Sequence, residues 1–198
     1  MGETELYIYV ILFLVAFLAG FVDSIAGGGG LIATPALLLA GLPPLNALAT
    51  NKLQAVFGSS TAAVNYHRKI EPSNKKERLL ILFFVSFVGS ILGTIFISSI
   101  DAVILIKLIP ILLIGVALFF ALKKDLDSIN RNKVVTFYSF LLITLLIGGY
   151  DGSVGPGTGS FFMLAFVSLR GMPLLLATYN TKVVNFASNL GSLITFIY

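Results

Sequence analysis

The chain has 198 residues, of which 57% are hydrophobic and 11% charged; soluble domains carry about 25% charged residues, so a soluble fold is excluded. There is no cysteine and a single histidine, His67, which excludes a disulfide framework, a thiolate metal site and a multi-histidine metal centre. The net charge of +4 comes largely from two short basic loops and is a topology signal, not a nucleic-acid surface.

In chain order, an apolar segment at 6–22 reads as the first helix, since Glu3 and Glu5 stand where a signal peptide would carry basic residues. A glycine run, Gly27-Gly28-Gly29-Gly30, breaks it. A short half-helix is expected at 35–40, with Thr34 as N-cap and Pro35 at the first helical position. Gly41-Leu42-Pro43-Pro44 is a turn. A longer helix at 45–66 carries Lys52. The first basic loop, 67–78, holds Arg68, Lys69, Lys75, Lys76 and Arg78. Spans at 79–100 and 102–122 follow, joined by a tight turn at Asp101. The second loop, 123–133, holds Lys123, Lys124, Arg131 and Lys133. Segments at 134–147, 160–169 and 173–198 then repeat the first helix, the half-helix and the lysine-bearing helix. Placing both basic loops in the cytoplasm puts Asp101 outside and inverts the second set relative to the first. Lys107, five residues into its span, can snorkel to the surface, and Gly89 and Gly93 are spaced for helix packing.

The fold expected is therefore all-α: a polytopic transmembrane helical bundle of two inverted internal repeats, with broken, re-entrant helices at the glycine-rich stretches. The first repeat is 1–127 and the second, incomplete, is 128–198. The spacing supports this division. Asp23 and Asp151 are 128 positions apart, whereas Lys52 and Lys182 are 130 apart, so the second copy carries two extra residues in its glycine-rich stretch. Counterparts of the spans 79–100 and 102–122 are missing after Tyr198. A C-terminally truncated chain is the expectation, with a short form completed by oligomerisation as the alternative.

Four charges cannot readily leave the membrane: Asp23, Lys52, Asp151 and Lys182. Each costs at least about 2.5–3.5 kcal/mol at the bilayer centre, so they line a cavity or pair with one another. Irregular backbone at membrane depth is tolerated where it lines a cavity or is buried in protein. A half-helix starting after such a break presents free N–H groups and the positive end of its dipole. Two such starts, with Lys52 and Lys182, make an anion site. Its expected members are Gly28, Gly29, Gly30, Gly157, Thr158, Gly159, Thr50, Asn51, Asn180 and Thr181. Ser59, Ser60, Asn185, Ser188 and Asn189 would extend a polar path along the same helices. Asp23 and Asp151 are left open as helix caps, proton carriers or cation ligands, and the lysines as mere counter-charges to Asp151 and Asp23. No catalytic residues, metal or cofactor are expected, and the chain does not read as an enzyme.

The stretch from Gly20 to Lys52, with Asp23-Ser24-Ile25-Ala26-Gly27-Gly28-Gly29-Gly30, Thr34-Pro35, Gly41 and Ala49-Thr50-Asn51-Lys52, resembles the first-repeat pattern of the sulfite exporter TauE/SafE permeases. The stretch from Gly148 to Lys182, with Gly155-Pro156-Gly157-Thr158-Gly159, resembles their second. The resemblance implies a secondary transporter for sulfur-containing anions such as sulfite, thiosulfate or organosulfonates, in a bacterial or archaeal inner membrane. The expected partners are that anion, the lipid bilayer and, optionally, further copies of the chain in a homo-oligomer; nucleic acid is not among them. The competing readings are a cation transporter or channel using the two aspartates, and a non-transporting membrane subunit.

Overall fold

The computed structural model describes residues 3–25, 27–70, 76–122 and 135–198. Among them the chain forms eight helices and no strand: α1 Glu3–Ile25, α2 Gly30–Leu39, α3 Pro44–His67, α4 Lys76–Ser98, α5 Ala102–Leu122, α6 Phe137–Ser153, α7 Thr158–Arg170 and α8 Leu174–Ile197. Within the two basic loops, residues 71–75 and 123–133 lie outside the described residues, as does Ala26 of the first glycine-rich stretch.

Three described helices are long and apolar enough to cross a membrane: Leu6–Ile25, Arg78–Ser98 and Ala102–Leu122. They expose their apolar side chains, for example Phe13, Phe17 and Phe21 on α1 and Ile104, Ile111 and Ile114 on α5, as a lipid-facing surface does. The chain is an all-α membrane helical bundle. At 24 residues each, α3 and α8 reach about 36 Å, but both carry buried polar residues. Burial is deepest along α8, which packs against α3, α4, α6 and α7.

Helix starts follow local chemistry. Pro43 and Pro173 precede α3 and α8 with nearly the same backbone geometry (φ −54, ψ 145 and φ −57, ψ 146). Thr136 caps α6, its hydroxyl accepting from the Ser139 N–H at 3.3 Å. Asp101 opens α5 by accepting from the Val103 N–H at 2.8 Å.

Several boundaries differ from the expectation, and four of these differences bear on the breaks and their packing. First, α1 runs on through Asp23 to Ile25. Second, α2 starts at Gly30, not at 35: the carbonyls of Gly28 and Gly29 accept from Leu31, Ile32 and Ala33. Thr34 is thus a buried interior residue instead of a cap, and Pro35 lies inside the helix. Third, α6 does not stop at 147. Gly148 and Gly149 are helical, and Gly148 and Gly152 let α6 approach α4 until backbone meets backbone. The GxxxG pair Gly89 and Gly93 supplies the facing surface: a Cβ on either would collide with the α6 backbone at Leu145 and Gly149. Fourth, α7 gains a residue or two at each end and closes on Gly171, a left-handed C-cap at φ 62. Lys107 is exposed, as snorkelling requires.

Candidate functional site

The two glycine-rich breaks touch. A Cβ on Gly27 would stand 2.5 Å from the Gly159 Cα, and one on Gly159 would stand 2.6 Å from the Gly27 Cα. No side chain fits between them. Gly27 also has φ 78, a left-handed backbone that glycine adopts without strain. The breaks thus cross backbone on backbone in the protein interior.

Each lysine reaches this crossing from the ninth position of its helix, counting from Pro44 in α3 and Leu174 in α8. Each aspartate lies two residues before the end of its helix, in α1 and α6. The connections are crossed between the chain's halves. Lys52 on α3 donates to Asp151 Oδ1 of α6 at 2.6 Å, with 1% and 2% of the two side chains exposed. Lys182 on α8 donates to the backbone carbonyl of Asp23 on α1. Both ammonium groups therefore sit at helix C-terminal ends, where carbonyl dipoles favour positive charge. For Lys52 the counter-charge reading has this geometry behind it; Lys182 meets a backbone carbonyl instead of the Asp23 carboxyl group.

The carboxylates are less well served. Asp23 Oδ1 accepts one long bond, 3.4 Å, from the Gly29 N–H. Among the described residues, Asp23 Oδ2 and Asp151 Oδ2 are buried without a hydrogen-bond partner, as are the hydroxyls of Thr34 and Thr181. A narrow cleft, with about 10 Å³ for water, opens beside Asp23 between α1 and α3, lined also by Gly29, Gly30, Asn51 and Gln54. That is about the smallest space that holds one water molecule.

The other expected members divide. Asn51 is buried, and its amide lies against Gly30, whose added Cβ would stand 3.1 Å from Asn51 Nδ2 and 3.2 Å from Pro156 Cα. Asn51 thus marks the place where both breaks meet α3. Thr181 is buried beside Lys182. Gly28 is half-buried and Gly29 fully buried in the first break. Thr50 is exposed and points away from the crossing. Asn180 donates to the Met172 sulfur at 3.1 Å. Thr158 turns its hydroxyl to the Gly155 carbonyl at 2.6 Å, using it to close the start of α7. Gly157 faces α5, where an added Cβ would press on Val116 and Phe120. The polar path folds back on its own helices: Ser59 donates to Ala55, Ser60 to Phe57, and both Ser188 and Asn189 to the Asn185 carbonyl.

Two participants escaped the sequence reading. The Tyr150 hydroxyl donates to the Pro156 carbonyl at 2.7 Å and pins the second break to α6; its place beside Asp151 was the available signal. Gln54, two positions after Lys52, walls the Asp23 cleft and donates to the Ala16 carbonyl at 2.7 Å. An uncharged amide inside an apolar span was its signal.

The family model for the sulfite exporter TauE/SafE matches residues 12–198. A protein of Sinorhizobium sp. named probable membrane transporter protein ORF9 is 44% identical over 199 residues, covering 100% of this chain and 76% of that protein. A probable membrane transporter protein of Haemophilus influenzae is 46% identical over 188 residues, covering 94% and 73%. The probable membrane transporter protein YfcA of Escherichia coli K12 is 45% identical over 188 residues, covering 94% and 69%. No solved structure matches. A family match along nearly the whole chain, on a helical membrane bundle with charges buried at two crossing helix breaks, makes this protein a membrane transporter that belongs to the sulfite exporter TauE/SafE family.

Proposed function

We propose that the protein is a secondary transporter of small sulfur-containing anions, such as sulfite, thiosulfate or an organosulfonate, across a bacterial or archaeal inner membrane. The observation that carries this reading is the meeting of both helix breaks at one buried point served by two lysines. Secondary transporters commonly bind their substrate at broken helices near the midplane of the bilayer. The sulfur-anion class comes from the family's name.

The two halves, 1–127 and 128–198, act in this reading as inverted repeats. Matched positions of Lys52 and Lys182 in their helices, of Asp23 and Asp151 in theirs, and of the prolines before α3 and α8 support it. In the closed arrangement the Asp151 carboxylate occupies the place of an oxyanion at Lys52. A substrate anion exchanges with it. Rocking one half against the other parts the crossed contacts and exposes the site to alternate sides. Asn51 and Thr181, buried beside the lysines, supply neutral donors.

The unpartnered oxygens of Asp23 and Asp151 favour one rival, a cation carrier using the aspartates as ligands. A ligand panel separates the two by thermal unfolding of the purified protein. A ligand that binds only the folded state stabilises it by about 2.7 kcal/mol at 100 times its dissociation constant. Sulfite, thiosulfate or an organosulfonate is expected to raise the melting temperature at constant ionic strength, and sodium, potassium or calcium to leave it unchanged. The reverse pattern would overturn the anion reading.

A further inference from the structure

We infer that the two buried aspartates hold different charge states: Asp151 is the ionised partner of Lys52, and Asp23 is a neutral carboxylic acid, the seat of a proton that travels with the anion. The transport half of this statement rests on the function proposed above; the protonation of Asp23 does not.

The asymmetry is geometric. Asp151 has an ammonium 2.6 Å from Oδ1. Asp23, equally far from the end of its own helix, has no ion pair among the described residues. The cation facing it from α8, Lys182, gives its hydrogen bond to the Asp23 backbone carbonyl, not to the carboxyl group. The remaining charged groups around it are Lys52 of α3 and Asp151 of α6, already paired to each other. What the Asp23 carboxyl receives from the described residues is the long Gly29 contact alone. It is 8% exposed, with Oδ2 unpartnered, and it sits in the last turn of α1, where helix carbonyls disfavour a negative charge. An unpaired carboxylate in such a place is costly, and a proton removes the charge.

The charge count gives the proton its use. In this assignment Lys182 stays an ammonium held by the Asp23 carbonyl at the C-terminal end of α1, and with the Lys52–Asp151 pair neutral as a unit the crossing carries +1 once Asp23 is neutral. One monoanion cancels that charge. Proton and anion then favour each other's binding, and the bound site crosses the membrane uncharged. In the proton step, an O–H bond forms at Oδ2 with a proton taken from bulk water. It breaks again when the site opens and water enters along the cleft lined by Ala19, Gly20, Gln54 and Ala55.

Infrared spectroscopy of the full chain in lipid at neutral pH reads this directly, because an un-ionised carboxyl group has its own C=O stretching band that shifts in heavy water. The band is expected in the unmodified protein, lost in Asp23→Asn, and retained in a Lys52→Met/Asp151→Asn double variant that removes the other pair whole. No band in the unmodified protein, survival in Asp23→Asn, or loss in the folded double variant would overturn the assignment. If Asp23→Asn does not fold, the double variant decides alone. A protein that keeps the band but moves no sulfur anion in vesicles would contradict the transport reading, and the coupling with it, while leaving the neutral Asp23 standing.

Discussion

Lys52 and Asp151 form a charge pair that neither side chain can leave without stranding the other. Removing one partner of a buried pair costs about 3–5 kcal/mol, whereas replacing both with apolar groups is often neutral or better. Asp151→Asn is therefore expected to destabilise the folded protein by about that amount, and the added change Lys52→Met to restore much of the loss. Unfolding of the single and double variants in the same detergent checks this; a single variant as stable as the unmodified protein would mean the pair is not closed in solution. These four charges were legible in the sequence because a charge within an apolar span must find a partner or a cavity. Their neighbours were not, because adjacent residues on a helix point about 100° apart. Thr50 lies next to Asn51 and faces outward, while Asn51 faces the crossing. Thr158 is close to the crossing, yet its hydroxyl serves its own helix start.

Glycine plays two parts among the helices, and composition alone does not separate them. Gly27 and Gly159 let two breaks cross, whereas Gly148 and Gly152 continue a helix and let it lie against α4. Glycine density therefore does not mark the end of α6, whereas the spacing of Gly89 and Gly93, one helical turn apart, does mark a packing surface. Tertiary contact decides in each case, and it places Gly115 on an open surface with nothing near an added Cβ. Gly152→Leu is expected to force α4 and α6 apart, at the upper end of the 1–3 kcal/mol usual for overpacking or beyond. Gly115→Leu should be tolerated. Yield of monodisperse protein and melting temperature compare the two; equal behaviour would contradict the close α4–α6 approach.

At the scale of the molecule, α3 and α8 carry the lysines to opposite breaks, so each break is served by a helix from the other half of the chain. The helical membrane fold and the family were legible from hydropathy and the doubled glycine pattern. The sequence offers the crossed partnership only as an alternative to an anion site, because the extension of α1 and α6 through their aspartates is set by tertiary packing. In the proposed anion site, shared by the two halves, neither lysine can substitute for the other. The most direct measurement is uptake of labelled sulfite into vesicles holding the purified chain, beside Lys52→Ala and Lys182→Ala variants shown to be folded. Saturable uptake, abolished in each single variant, is the result expected. Uptake that persists in either variant at the unmodified rate would contradict a single anion site built from both halves.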